Sequence, residues 1–210
     1  MRASRATVRA QAPRVVAVGH EGTGPRAARV PEPAFRMIRS ALTPGAHAGP
    51  VLVQVPRRGY RPALACQQCR EQARCPRCSG PLAQESATAA PVCGWCSQES
   101  STWVCPACAG TRLRAARVGD ERTAEELGRA FPGVLVRQSG LGHVLASVPH
   151  ERSLVVATPG AEPHTEGGYR AALLLDADVM LARPDLRAAE ESLRRWMAAA
   201  ALVVPSGRGG

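Results

Sequence analysis

The residues with the clearest chemistry are the eight cysteines, which fall in four C-x-x-C pairs within residues 66–108. The pairs are Cys66 and Cys69, Cys75 and Cys78, Cys93 and Cys96, and Cys105 and Cys108. A two-residue gap lets both thiolates of a pair face one ion, and four thiolates complete the tetrahedron that Zn²⁺ accepts. The cysteines therefore predict two zinc ions per chain, in closed sites with a structural role. The spacing leaves open which pairs share an ion.

Three other uses of these cysteines are less consistent with the sequence. A disulfide scaffold needs an oxidising compartment, for which the sequence has no signal peptide. A thioredoxin-like redox motif occurs once, at the start of a helix, rather than four times in an irregular segment. Iron–sulfur ligation is not excluded by spacing alone, but its cysteines do not usually come as four regular pairs. Structural zinc is the interpretation we adopt.

The segments on either side of the cysteines alternate between short apolar strands and amphipathic helices, which predicts an α/β fold. Predicted strands cover residues 15–18, 51–55, 134–136, 154–157 and 172–175. Predicted helices cover residues 31–42, 123–131 and 185–203. Thr123 is the expected N-cap of the second helix, because Glu126 follows three residues later. On the last helix Leu186, Ala189, Leu193, Trp196 and Ala200 share a face.

The charge of the chain is concentrated in its first part. The net charge is +10, and residues 1–118 carry 17 Arg against five Glu. A basic region of this kind suggests a polyanionic partner, most commonly nucleic acid. The chain contains no Lys, so a Walker-type phosphate loop and a lysine Schiff base are both excluded. No run of 18 apolar residues occurs, and we expect a cytoplasmic, nucleoid-associated protein without a membrane partner.

The residues around the first cysteine pair resemble a known family. Arg57-Arg58-Gly59-Tyr60, the segment 62–66 and the four cysteine pairs are similar to the primosomal protein N′ family of replication-restart proteins. The resemblance continues through the segments 118–119, 122–127, 131–134 and 172–176, and covers residues 13–204. In that family a zinc module interrupts the second helicase lobe.

The resemblance implies a nested arrangement of the two zinc sites. Cys66, Cys69, Cys105 and Cys108 would bind one ion, and Cys75, Cys78, Cys93 and Cys96 the other. It also implies an incomplete RecA-like second lobe, in the C-terminal portion of a degenerate, actinobacterial-type member. The implied division is a disordered N-terminus (1–12), the first part of the lobe (13–62), the zinc insert (63–112), the second part of the lobe (113–204) and a tail (205–210).

The sequence departs from helicase-active members of that family at two motifs. A Gly-Thr-Gln-Met segment leading to Lys-Gly-His is replaced by Ala157-Thr158-Pro159-Gly160 and the residues to His164. The Gln-x-x-Gly-Arg-x-Gly-Arg motif, which supplies an arginine finger, is replaced by the apolar segment 196–205. We therefore expect no catalytic residues and no helicase activity in this chain.

Four residues are candidates for DNA contact. Arg57 and Arg58 end a strand where they could bind phosphate, and Trp95 and Trp103 could stack on unpaired bases. The leading hypothesis is a monomeric replication-restart factor that binds forks, D-loops and single-strand/duplex junctions, together with primosomal and single-strand-binding proteins. The alternatives are an ATP-dependent 3′–5′ helicase of the primosome and a zinc ribbon that binds only protein.

Overall fold

The computed structural model describes residues 4–18, 30–45, 48–56, 64–84, 89–115, 120–140, 142–181, 183 and 185–208. Within these residues the helices are α1 (Arg5–Gln11), α2 (Glu32–Leu42), α3 (Asp120–Ala130), α4 (Ala177–Leu181) and α5 (Ala188–Ala201). The strands are β1 (Val51–Gln54), β2 (Leu64–Cys66), β3 (Leu82–Ala83), β4 (Val92–Cys93), β5 (Leu113–Ala115), β6 (Leu135–Ser139), β7 (Ser153–Ala157) and β8 (Ala171–Leu174). None of the helices is long and apolar enough to span a membrane.

Four of the strands form a parallel sheet in the order β6-β7-β1-β8. The two central strands are buried at every residue, as expected for strands covered on both faces. On one face Ile38 of α2 and Leu127 of α3 pack against Val53 and Leu154. On the other face Ala199 of α5 packs with Leu52 and Tyr169. The predicted mixed α/β fold is confirmed, with the helices on both faces of the sheet.

The cysteine residues lie outside this sheet, in what we call the cysteine module (residues 64–115). It contains two antiparallel ladders, β2–β5 and β3–β4, with strands of only two or three residues. Its buried interior includes Leu64, Leu82 and Trp103 together with four of the cysteines. The module therefore has an interior of its own, separate from the aliphatic core of the sheet.

Two expectations about the N-terminal residues are wrong. Residues 1–12 were expected to be unstructured, but Arg5–Gln11 form α1, whose first turn is capped by the Ser4 side chain accepting from the Thr7 N–H. Residues 15–18 were expected to form a strand, yet they pair with no strand in the described part of the chain, and Val15 is 77% exposed. A four-residue apolar run predicts a strand only if a neighbouring strand is available.

Two expectations about helices also fail. Thr123 is not an N-cap, because α3 begins at Asp120 and places Thr123 inside the helix, where it is buried. The expected face of the last helix is largely turned to solvent, with Leu193 57% exposed. The buried face consists instead of Ala188, Ser192 and Ala199. Small side chains allow the helix to approach the sheet closely, and Ser192 satisfies its hydroxyl by donating to the Ala188 carbonyl at 2.6 Å.

Candidate metal centres

Each of the four C-x-x-C pairs forms the same tight turn. The residue after the second cysteine donates its N–H to the carbonyl of the first cysteine, at 2.9–3.1 Å in all four turns. That same residue has a positive φ, between 57° and 64°. The four residues are Arg70, Ser79, Ser97 and Ala109. None is glycine, so each turn holds a residue in a conformation that L-residues seldom adopt.

The turns bring the cysteines together in two groups of four. Cys66, Cys69, Cys105 and Cys108 form the outer site, and Cys75, Cys78, Cys93 and Cys96 form the inner site. These are the same two groups that the family resemblance implies. In the outer site Cys66–Cys108 and Cys69–Cys105 have Sγ–Sγ distances of 3.5 Å.

The sulfur distances in both sites fit a tetrahedral metal. In the inner site the Sγ–Sγ distances are 3.4 Å for Cys78–Cys96, 3.5 Å for Cys78–Cys93 and 3.8 Å for Cys75–Cys96. A tetrahedron with metal–sulfur bonds of about 2.3 Å has edges of about 3.8 Å, whereas a disulfide needs about 2.05 Å. All eight cysteines are free thiols. Each group can therefore hold one metal ion.

Two glycines allow the sulfurs to pack this closely. A Cβ on Gly80 would lie 2.8 Å from Cys93 Sγ and 2.9 Å from two ring atoms of Trp95. A Cβ on Gly110 would lie 3.2 Å from Cys66 Sγ and 2.9 Å from Gln68 Oε1. Both glycines stand two residues after a cysteine pair, and the sequence predicts turns there. Glycine is needed at both positions because a Cβ would crowd a sulfur of the other cysteine pair in the same site. The sequence does not reveal this contact.

The thiols of one site perturb one another strongly. Backbone N–H groups, with that of Cys69 first among them, lower the pKa of Cys66 to about 7 despite its burial. At Cys69 the Glu71 N–H acts in the same direction, but burial and the thiols of Cys108 and Cys105 outweigh it and raise the pKa to about 12. Four thiolates at this separation need a cation among them.

The two sites differ in how far their ligands are covered. The outer site has two buried and two half-buried cysteines, whereas Cys96 of the inner site is exposed. The residues between the cysteines differ too. In the outer site the turn residues Gln67, Gln68, Pro106 and Ala107 carry no charge. In the inner site Arg77 is exposed on one turn and Trp95, 51% exposed, is on the other.

The structure separates the two tryptophans that were candidates for base stacking. Trp103 is only 7% exposed and donates its indole N–H to the Arg74 carbonyl at 3.1 Å. Its ring therefore belongs to the interior of the module and presents no open face to a base, which corrects the expectation for Trp103. Trp95 keeps an accessible face. Arg57 and Arg58, the other two candidates, lie outside the described residues.

A cluster that was not predicted lies at the carboxyl ends of β1 and β7. The Glu162 carboxylate accepts from the buried Gln54 side chain at 2.5 Å and from the Gly160 N–H at 2.8 Å. Arg195 of α5 donates to the Pro159 carbonyl of the same loop at 3.0 Å. Ligands of parallel α/β sheets commonly bind at this edge. Here the chain's own carboxylate already accepts from those two donors.

The comparisons with known proteins find similar sequences. The chain is 54% identical over 215 residues to the probable replication restart protein PriA of Mycobacterium leprae, a match that covers 99% of this chain and 33% of that protein. The proteins of the same name from Mycobacterium bovis and Mycobacterium tuberculosis are each 53% identical over 215 residues, with 32% of their length covered. No protein-family model matches.

The similarity extends over almost the whole chain, and the identity of 53–54% is far above the level expected by chance. The chain is therefore homologous to replication restart proteins of the PriA family and corresponds to their C-terminal part. It spans about one third of the length of these relatives. The family resemblance seen in the sequence is confirmed.

Proposed function

We propose that this chain is the zinc-containing part of a replication-restart factor that binds forked or otherwise branched DNA and primosomal proteins. The homology to replication restart proteins supports a role in replication restart. The observation that supports a DNA contact concerns the two C-x-x-C turns of the inner site. They expose the aromatic ring of Trp95 and the guanidinium of Arg77 on the outside of that site. The sheet would be a RecA-like second helicase lobe, with residues 63–112 as its insert.

Zinc is the metal that suits the donor set. Four sulfur ligands in a tetrahedron are typical of structural zinc, and such a site has no open position for a water or a substrate. Cys66, Cys69, Cys105 and Cys108 would hold one ion, and Cys75, Cys78, Cys93 and Cys96 the other. When bound, the zinc would supply the cation that four thiolates require. The residues of the chain would then position Trp95 and Arg77 on fixed turns.

A base and its phosphate are suitable ligands for these two side chains. An exposed indole can stack on an unpaired base, and an arginine can donate to the phosphate beside it. The described part of the module also carries Arg70, Arg74, Arg112 and Arg114 as exposed residues, against the acidic residues Glu71 and Glu99. This excess of positive charge favours a polyanionic partner such as nucleic acid over a neutral or basic protein surface.

The test is the affinity of the zinc-loaded chain for a forked DNA against a blunt duplex of equal length, at one fixed salt concentration. We expect tighter binding to the fork, with the preference lost when zinc is removed. Trp95→Ala should weaken fork binding by about 1–3 kcal/mol, or about 5- to 140-fold in Kd. Val104→Ala is the matched control, because Val104 is similarly exposed, at 53%, in the same module.

Equal binding to the two DNAs, or fork binding that Trp95→Ala leaves unchanged, would contradict the proposed DNA contact. Negligible binding to both DNAs would favour a module that binds only protein. DNA-stimulated hydrolysis of ATP by the chain would contradict the expectation that it has no helicase activity.

A further inference from the structure

The inner metal site has one exposed ligand, and the outer site has none. Cys96 is exposed, whereas every other cysteine is buried or half-buried. With a metal bound, both sites would have four thiolate ligands on turns of the same kind, so exposure is what distinguishes them. Oxidation of a cysteine depends on its accessibility as well as on its thiolate character. An oxidant in solution therefore meets the inner site first.

The exposed thiol has a partner within reach. Cys78 Sγ lies 3.4 Å from Cys96 Sγ, and Cys78 is itself only half-buried. Both are the second cysteine of their pair, at the end of the turn. A disulfide needs an S–S distance of about 2.05 Å, so the two sulfurs must approach by a little over 1 Å. Side-chain rotation can supply a movement of this size.

The nesting of the two sites limits the damage that oxidation would cause. The inner site is attached to the short ladder β3–β4, which lies between the outer cysteine pairs in the sequence. The outer site is attached to β2–β5, where Cys66 pairs with Leu113. Loss of the inner metal would leave the ladder and the four ligands of the outer site in place.

We propose that the inner site is a peroxide-sensitive switch, in which Cys78 and Cys96 form a disulfide and release the inner zinc. The two thiolates lose two electrons to one hydrogen peroxide, which takes up two protons and becomes two molecules of water. The inner site then has two thiolates left and cannot hold zinc tightly. This inference rests on the proposed function, because it requires zinc in the site and because Trp95 and Arg77 stand on the turns that would move.

The experiment treats the zinc-loaded chain with hydrogen peroxide and follows zinc release with a chromogenic chelator. We expect one equivalent to leave about tenfold faster than the second, because susceptibility follows exposure. When one equivalent has been released, alkylation and peptide mapping should find the Cys78–Cys96 disulfide, with the outer cysteines still reduced. A thiol reductant with added zinc should restore the second equivalent. Simultaneous release of both ions, or disulfides first in the outer site, would overturn the proposal.

A matched pair of variants tests the role of the exposed thiol. Cys96→Asp replaces the sulfur ligand with a carboxylate oxygen, which can bind zinc but cannot form a disulfide. Cys108→Asp makes the same change in the outer site. We expect the fast phase of release to disappear in C96D and to remain in C108D. If either variant fails to bind two zinc ions, the order of release and the mapped disulfide in the unmodified chain still decide the question.

Fork binding after partial oxidation is measured separately. If the unmodified chain binds forks, oxidation to one zinc equivalent should weaken that binding, and the reductant with zinc should restore it. If the unmodified chain does not bind forks, the proposed DNA contact fails while ordered zinc release can still be observed. The two proposals therefore fail in distinguishable ways.

Discussion

The sheet and the cysteine module form their interiors by different means. The sheet buries complete strands such as β1 and β7, whose side chains are almost all aliphatic. The module has strands of two or three residues, and four of the eight residues in its buried cluster are cysteines. Burial of aliphatic side chains can stabilise the sheet without a ligand. The buried cluster of the module is smaller than that of the sheet, and we expect the module to depend on metal bound at its two cysteine sites.

This difference shows which part of the sequence specifies which part of the structure. In the sheet, hydrophobic residues in short runs are sufficient, and many of them could be exchanged for others of similar volume. In the module, the spacing of the cysteines and a few residues around them set the fold. Changes in the two regions should therefore have separable consequences.

Removal of the metal should produce the largest effect and should be confined to the module. Structural zinc sites contribute about 10–16 kcal/mol of apparent binding free energy, which is also folding free energy. With a chelator we expect the amide protons of 64–84 and 89–115 to lose protection from hydrogen exchange. The amide protons of β1 and β7 should keep theirs. Retained protection across the module would show that apolar burial alone stabilises it.

Truncation of a core side chain in the sheet should have the opposite effect: it should destabilise the sheet and leave the cysteine module unchanged. Leu154 of β7 is fully buried between the strands and helices of the main core. Leu154→Ala should lower the free energy of unfolding by about 2–5 kcal/mol, measured by urea denaturation. Val8→Ala is the control, since Val8 is 56% exposed and should change little. Loss of bound zinc from folded L154A would contradict the independence of the two regions.

Substitution of one glycine should act on a single metal site. Gly80→Ala places a methyl group 2.8 Å from Cys93 Sγ, while the nearest atom to a Cβ on Gly94 is 3.5 Å away. We expect G80A to weaken zinc binding at the inner site by about 1–3 kcal/mol, as overpacking does elsewhere. G94A should bind zinc normally. Competition with a chelator of known affinity measures both, and equal affinities would show that the inner site adjusts freely.

Most of the sheet could be predicted from the sequence because its strands are unusually apolar. The runs at 51–55 and 154–157 give β1 and β7 to within one residue. The run at 15–18 looks similar, but no partner strand accompanies it in the described residues. A run of apolar residues indicates that burial is favourable, but it does not indicate whether a partner strand is available. The same limit applies to α5, where the buried residues include the small Ser192 and Ala199 rather than the larger apolar residues.

The grouping of the cysteines could not be derived from their spacing, and only the family resemblance implied it. The positive φ of Arg70, Ser79 and the two equivalent residues gave no signal, since none of them is glycine or asparagine. The role of Gly80 depends on the sulfur of a cysteine 13 residues later. The grouping and the Gly80 contact depend on distant segments, which local patterns do not encode, whereas the positive φ values belong to local turns within each C-x-x-C pair.

The smallest expected effect concerns a single buried hydroxyl in the sheet region. Tyr169 is fully buried and donates its hydroxyl to the Pro163 carbonyl at 2.8 Å. Tyr169→Phe should lower the free energy of unfolding by about 1 kcal/mol, because the Pro163 carbonyl loses its donor. The expected loss is smaller than for Leu154→Ala, since the ring still fills its space and no cavity is formed.

The same residue gives the sheet a dependence on alkaline pH. Burial, reinforced by the negative charge of Glu162, raises the pKa of Tyr169 well above its ordinary value. The unfolded chain releases this proton near pH 10, whereas the folded chain retains it. The contribution of Tyr169 to the free energy of unfolding is therefore fully present below about pH 10 and decreases as the pH rises further. Urea denaturation at pH 8 and pH 10.5 should show a smaller decrease for Tyr169→Phe than for the unmodified chain. Equal decreases would mean that Tyr169 ionises as easily in the folded sheet as in the unfolded chain.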